Sequence, residues 1–188
     1  MKIIKTAKYK KLAETQKEKK DFFNKRTKEH IKRVQDASKK IVNKYKEYKE
    51  LLEQVEKHDD SKFKEPELSP YIELTWDKKD DPDAKSTKEM NDATMHHIKN
   101  NKHHPEYHLS DKSEANISSE DRDKSDKCVD ASLMDDISIA EMVADWQAMS
   151  EELGTNSARE WYDEQKDVRW IFSEKQDKLI SKLLKVFE

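Results

Sequence analysis

A single apolar stripe in the first third of the chain limits what the chain can fold into. Apolar and small side chains recur at steps of three and four residues from Phe23 to Val55. In an α-helix such steps stay on one face, here through about nine turns. The stripe predicts one long helix, or two helices in phase, ending near His58. His30 lies within the stripe, so its imidazole needs a polar partner inside the predicted core.

The composition favours an all-α fold. The 188 residues include one glycine and four prolines, whereas β-rich folds need many turn residues that tolerate positive φ. Apolar residues make up 33% and charged residues 42% of the chain, which predicts a lean core surrounded by solvated helical faces. Residues 1–20 carry eight lysines and two glutamates. We expect a basic N-terminal arm or helix extension over 1–21, followed by one helical domain over 22–188.

Capping motifs predict where later helices begin. A Ser followed three residues later by Glu or Gln is a capping box, and these boxes start at Ser86, Ser138, Ser157 and Ser173. We expect the first helix to run through about Asn101 and the second through Leu153, with Gly154 as its stop. A short helix is expected around Tyr71–Trp76. The acidic stretch 108–136 has no apolar period and is expected to be a polar loop, partly disordered.

Charge and cysteine content narrow the class of protein. The formal net charge is −3, which does not favour nucleic acid as a partner. The single cysteine, Cys128, permits no disulfide within the chain and suits a reducing compartment. No apolar run is long enough to cross a bilayer. We expect a cytoplasmic protein with no membrane partner; its oligomeric state stays open.

Histidines and carboxylates recur at positions that suit a shared metal site. All seven histidines lie between residues 30 and 108, five of them between 96 and 108. Four predicted segments carry candidate ligands: the apolar stripe, its end at His58-Asp59, the helix and turn with the later histidines, and the helix with Asp145. Such mixed donors bind divalent metals, and each polar group would cost roughly 1–3 kcal/mol if buried unpaired. We predict one or two ions; Mn, Fe, Co, Mg, Ni and Zn are not distinguished.

The order of these residues resembles the fingerprint of the HD-domain superfamily of metal-dependent phosphohydrolases. His58-Asp59-Asp60-Ser61-Lys62 matches its His-Asp-x-x-Lys core. The chain is also similar to a small HD-like family found in bacteria and phages, so the cytoplasm expected above would be that of the host if the chain is phage-encoded. That family's three characteristic stretches correspond to His58–Phe63, Asn101–Tyr107 and Glu141–Trp146. The resemblance covers most of residues 24–165 and implies an HD-domain-like helical bundle with a long N-terminal helix.

The resemblance also implies which residues hold metal. The four ligands of a mononuclear site match His30, His58, Asp59 and Asp145. Two further histidines, matching His97 and His104, would make the site binuclear. His97 is preferred to His96 because it shares a helical face with Met90 and Ala93, whereas the choice of His104 over His103 is nearly even.

A phosphohydrolase role follows from the resemblance. Asp59 would orient a water activated by metal, and Lys62 would neutralise charge that develops on the phosphoryl oxygens. His103 or His108, if not a ligand, is a weaker candidate for the acid that protonates the leaving group. The substrate implied is a phosphomonoester or phosphodiester of a small nucleotide. Trp76, Trp161 and Trp170 are candidates for stacking on a base, although packing is the commoner role of a tryptophan.

Two other functions fit the same residues. A di-iron oxygenase would use the same ligand set for redox chemistry, and a non-catalytic binding protein would keep only the scaffold. The lysine after His58-Asp59 favours the hydrolase over the oxygenase. Three departures from the superfamily pattern bear on metal number and substrate. Asp60-Ser61 replaces a small apolar residue and glycine, the acidic 108–136 segment is unusually long, and the spacing between His97 and His104 is short for the binuclear members.

Overall fold

The chain folds as an all-α bundle around a long N-terminal helix, as predicted. The computed structural model describes residues 2–112, 115, 128–154 and 156–188, with side chains from residue 14 onward. The helices in this part of the chain are α1 (Lys2–Lys44), α2 (Leu51–Gln54), α3 (Leu68–Asp80), α4 (Lys88–Asn100), α5 (Asp136–Leu153), α6 (Ala158–Gln165) and α7 (Glu174–Leu184). Short 3-10 turns lie at Lys46–Tyr48, Val55–Lys57, Asp60–Phe63 and Pro105–His108. No helix among these residues is long and apolar enough to span a membrane.

Helix α5 is the centre of the bundle. It packs along α1 on one side and against α7 on another, while α3 covers a different face of α1. Half of its residues are buried, including Ile139, Met142 and Val143. Because α1 and α5 pack along each other, a polar group on the face of α5 towards α1 is enclosed between two helices.

The apolar stripe is buried as predicted, and its helical turns end at Lys57, beside His58; of the two forms expected, one unbroken helix is wrong and an interrupted one is found. Phe23, Val34 and Ile41 are buried on α1, which ends at Lys44. Tyr45 then takes φ −131° and ψ 89°, outside the helical region. A 3-10 turn, the one-turn helix α2 and a second 3-10 turn follow. These turns still bury apolar side chains as far as Val55, because they preserve steps of three and four residues.

Two of the four predicted capping boxes are confirmed, and two are wrong. Ser157 and Ser173 cap α6 and α7. Helix α4 is capped by Thr87, one residue later than predicted, and its Oγ1 accepts from the amide of Met90 at 3.3 Å. Helix α5 is capped by Asp135, which accepts from two amide nitrogens. There a carboxylate three residues before the serine occupies the N-cap position.

The remaining expectations concern the end of α5, the start of α1 and the 108–136 loop. Gly154 ends α5 with φ 63°, the left-handed conformation that glycine adopts most readily. Residues 2–21 form the start of α1, the helix extension of the two forms expected. Of the predicted 108–136 loop, residues 113–114 and 116–127 lie outside the described residues. Its described end contains strand β1 (Val129–Asp130), which pairs in parallel with β2 (Trp170–Ile171), a pairing that the sequence did not predict.

Candidate metal centre

The six predicted metal ligands come together in one cluster between α1, α4 and α5. They reach it from five places in the chain: α1, the turn before Asp60–Phe63, α4, the turn that follows α4, and α5. Most of the six are buried, and they are His30, His58, Asp59, His97, His104 and Asp145. The cluster divides into two groups of donors, one on each side of the Asp59 carboxylate.

The first group, called position A, consists of His30, His58, Asp59 and Asp145. His30 Nε2 lies 3.0 Å from Asp145 Oδ1 and 3.7 Å from Asp59 Oδ2. His58 Nε2 lies 3.7 Å from Asp59 Oδ2 and 3.8 Å from Asp145 Oδ1. His58 Nε2 is fully buried and makes no hydrogen bond. Two imidazole nitrogens and two carboxylate oxygens thus converge at distances that one divalent ion could bridge.

The second group, called position B, consists of His97, His103 and His104. One nitrogen of each lies within 4.8 Å of the others. Asp59 Oδ1 lies 3.2 Å from His97 Nε2 and 3.8 Å from His103 Nε2. This oxygen is buried and outside hydrogen-bonding geometry with either ring. Its lone pair and three imidazoles form a second donor set, so Asp59 offers one oxygen to each position.

The backbone at Asp59 places this shared carboxylate. Asp59 has φ 61° and ψ 12°, in the left-handed region that Asp and Asn tolerate better than most residues. The 3-10 turn that follows brings Lys62 back, and its Nζ lies 2.6 Å from Asp59 Oδ2. The His-Asp-x-x-Lys spacing therefore folds into a tight turn in which the lysine contacts the carboxylate three residues before it.

His103 also belongs to this cluster, although His104 is the ligand predicted from the sequence. His103 is buried, with 3% of its surface exposed, whereas His104 is half-buried. Its ring centroid lies 4.3 Å from that of His58 and 4.2 Å from that of His104. It therefore lies between the two positions, and the structure brings in both members of the pair. The structure therefore does not select one of the two, and both are candidate ligands of position B.

Two buried glutamates that the sequence did not single out orient the histidines. Glu141 Oε1 lies 2.8 Å from His58 Nδ1 and 3.5 Å from His103 Nδ1, so it contacts a histidine of each position. Gln54 Nε2 donates to the other oxygen of Glu141 at 2.7 Å. Accepting Nδ1–H in this way leaves Nε2 with its lone pair towards the centre, the usual arrangement around a bound metal. The signal in the sequence was the i, i+4 spacing of Glu141 and Asp145, which puts both on one face of α5.

Glu67 has the corresponding role on the side of position B. It is fully buried and lies 2.9 Å from His97 Nδ1 and 2.7 Å from His96 Nδ1. Ser61 Oγ also donates to it, at 2.8 Å. The preference for His97 over His96 fits this geometry, because His97 reaches Asp59 through its other nitrogen whereas the side chain of His96 is 41% exposed. His108, suggested as an acid, is half-buried, and its Nε2 lies 2.9 Å from the carbonyl oxygen of Lys102.

The electrostatics of the cluster favour bound positive charge. Burial raises the pKa of Asp59, but the nearby Lys62 and His58 outweigh it and hold that pKa well below its usual range. Burial likewise raises the pKa of Asp145 and is outweighed by its contact with His30, so the net shift is downward. Burial lowers the pKa of His30, yet Asp145 and Glu152 raise it to about 9. The carboxylates are ionised at neutral pH, and in the absence of metal they draw a proton onto His30.

These donors fit a divalent metal. Buried atoms at the centre that make no hydrogen bond include Asp59 Oδ1, His58 Nε2 and His30 Nδ1, and their residues form one group of candidate ligands. Imidazole and carboxylate together suit first-row divalent ions. The fold and the cluster therefore define an all-α protein with a candidate metal centre enclosed in its bundle.

Comparison with known proteins gives the family. Residues 19–186 match the model of DUF5662, described as a family of unknown function. The match covers most of the chain, which therefore belongs to this family. No curated protein and no solved structure matches the chain.

Proposed function

We propose that this protein is a metal-dependent hydrolase of phosphate esters of the HD type, acting on a small nucleotide. The observation that carries the proposal is the arrangement around Asp59. One oxygen of its carboxylate serves each group of donors, and the ammonium of Lys62 lies 2.6 Å from that carboxylate. The proposal joins this geometry to the resemblance of the His-Asp-x-x-Lys stretch to HD-domain phosphohydrolases.

In this proposal His30, His58, Asp59 and Asp145 hold one ion. His97, His103 and His104 hold a second, with Asp59 shared between the two. Bound divalent ions would supply Lewis acidity towards a phosphoryl oxygen and a water of lowered pKa.

The residues of the chain contribute position and charge. Glu141 and Glu67 hold histidine rings with Nε2 inward, so the donors need little rearrangement to bind. Lys62 stays protonated: burial lowers its pKa, but the adjacent Asp59 outweighs this and raises it. A fixed cation beside the centre stabilises negative charge that builds up on a phosphoryl group. This lysine is the specific reason to favour hydrolysis over oxygen chemistry.

The proposal is tested by metal content and phosphate release. Purified protein is analysed for its elements, and phosphate release is then measured on phosphomonoesters and phosphodiesters with added Mn²⁺, Co²⁺ or Mg²⁺. We expect bound metal and a release that falls by more than about 100-fold in Asp59→Asn, because loss of a direct ligand exceeds the 10–100-fold cost of losing its supports. Asparagine suits this test because it tolerates the left-handed backbone at this position.

The matched control is Asp60→Asn, which removes the neighbouring carboxylate on the exposed side of the turn. Phosphate release that is equal in both variants would exclude the hydrolase. Oxygen consumption by the iron-loaded protein, without phosphate release, would replace it with the di-iron oxygenase.

A further inference from the structure

A cavity of about 420 Å³ adjoins the metal centre. Asp145 of position A and His103 and His104 of position B form part of its wall. The rest of the wall comes mainly from α5, α6 and β2. We call it the aromatic cavity, and those further lining residues include Met142, Trp146, Met149, Leu153, Trp161 and Trp170. A molecule in it would therefore touch both groups of metal donors and an apolar surface at the same time.

The apolar wall is built by the regular spacing of α5 and held by ring packing. Met142, Trp146, Met149 and Leu153 follow one another at steps of four, three and four residues, and therefore share a face. Trp146 stacks on Trp170 with ring centroids 5.8 Å apart. This packing fixes the orientation of the wall before any ligand binds, which lowers the entropic cost of binding.

Charge in the aromatic cavity is sparse away from the metal centre. Apart from the histidines of the centre, Arg169 is the cation among the described lining residues, and its guanidinium lies over the rings of Trp161 and Trp170 at 5.6 and 5.4 Å. Asp145 is a ligand of position A, so the remaining carboxylate among these residues is that of Glu164, which offsets Arg169. A second or third phosphate placed there would find no net positive charge, in a setting of low polarity where an unpaired charge is costly.

We propose that the aromatic cavity binds the organic group of a phosphate monoester, and that this group is an uncharged aromatic ring system. A single phosphate would then lie at the metal centre. The size suits such a ligand, since small-molecule sites are mostly apolar clefts of roughly 300–1,000 Å³. The inference deepens the proposed function and rests on it: among nucleotides it selects nucleoside monophosphates over di- and triphosphates.

Phosphonates test the aromatic cavity apart from catalysis, because their P–C bond is not hydrolysed. Phenylphosphonate and methylphosphonate share the same anionic head and differ by the ring alone. Calorimetric titration of the full chain in the presence of Mn²⁺ is expected to give phenylphosphonate an affinity at least about tenfold higher, from burial of the ring. Equal affinities, or no binding of either compound, would overturn the proposal.

Two tryptophan variants locate the effect. Trp161→Ala is expected to bring the preference for phenylphosphonate close to one, and Trp161→Leu serves the same purpose if the alanine variant does not fold. Trp76→Ala is the matched control, because Trp76 packs on Phe22 and is not among the residues that line the cavity. A preference that survives both Trp161 variants would place the ring elsewhere and overturn the proposal.

Phosphate release from phenyl phosphate and a nucleoside monophosphate, against a nucleoside triphosphate, completes the test. A ring preference in binding without release from any ester would remove the proposed function and leave the aromatic cavity in place. Release that is faster for the triphosphate than for the monophosphate would remove the cavity proposal and leave the hydrolase.

Discussion

Positions A and B share Asp59 but are built in opposite ways. The ligands of position A lie far apart in sequence, with His30 on α1 and Asp145 on α5, and they meet because those two helices pack along each other. The histidines of position B all fall within residues 97–104, at the end of α4 and in the turn after it. Position A is thus fixed by the packing of the core, whereas position B depends on the conformation of one short turn. We expect position A to bind metal more tightly.

The largest effect that separates the two positions is expected for Asp145→Asn. It keeps the shape of a side chain of position A and removes its charge. Metal affinity at position A should fall by more than about 100-fold, with metal at position B retained. Metal titration followed by elemental analysis of the dialysed protein measures the difference. Glu151→Gln, an exposed carboxylate on the same helix, is the control, and loss of both metals in Asp145→Asn would show that the positions are not independent.

The adjacent histidines of α4 give the next test. His97→Ala and His96→Ala each remove one ring from Glu67, so any effect of that lost contact is shared. Only His97 also reaches Asp59. We expect His97→Ala to lower the metal content from two ions per chain to one, and His96→Ala to leave it within experimental error. Equal loss in the two variants would remove His97 from position B and attribute the effect to Glu67.

The two buried glutamates distinguish the two positions in a third way. Glu141 contacts a histidine of each position, whereas Glu67 contacts a ligand of position B alone. Replacing either by glutamine removes the carboxylate that orients the ring, which typically costs 10–100-fold in metal affinity. Titration should therefore show weakened binding at both positions in Glu141→Gln and at position B alone in Glu67→Gln. Identical titration curves for the two variants would contradict this division.

The same contrast explains what could be predicted from the sequence. The ligands of position A were implied by the resemblance to the HD-domain superfamily, and phase supports two of them, because His30 and Asp145 lie on periodic helices whose faces can be read from apolar neighbours. His103 and His104 lie in a turn with no period, so nothing local distinguishes them.

Other features escaped prediction because their causes are long-range. Glu67 and Glu141 act through contacts with residues 29 to 83 positions away, which a single sequence does not reveal. The pairing of β1 with β2 escaped because two-residue strands carry no alternation to detect.

The smallest expected effect concerns how α5, which carries Asp145 and Glu141, is held in place. Asp135 caps this helix and accepts from the amides of Ile137 and Ser138 at 3.0 and 2.9 Å. Asp135→Ala should lower the free energy of unfolding by about 1 kcal/mol at neutral pH. Ser138→Ala should cost less, because the Ser138 hydroxyl donates to Asp135 and caps no amide. A larger loss for Ser138→Ala, in urea unfolding, would restore the serine as the cap.

The pH dependence of the stability lost in Asp135→Ala tests whether the charge of the Asp135 carboxylate causes that loss. Burial raises the pKa of Asp135, but the hydrogen bonds from Ser138 outweigh it and lower the pKa below the ordinary value of an aspartate. A carboxylate with a lowered pKa in the folded state stabilises the fold above its unfolded pKa, and this contribution is lost as the pH falls through the folded value. The gap between wild type and Asp135→Ala should therefore be complete at neutral pH and shrink below about pH 4. A gap independent of pH would mean that the carboxylate's charge does not contribute to the cap, and that loss of packing at the start of α5 explains the destabilisation.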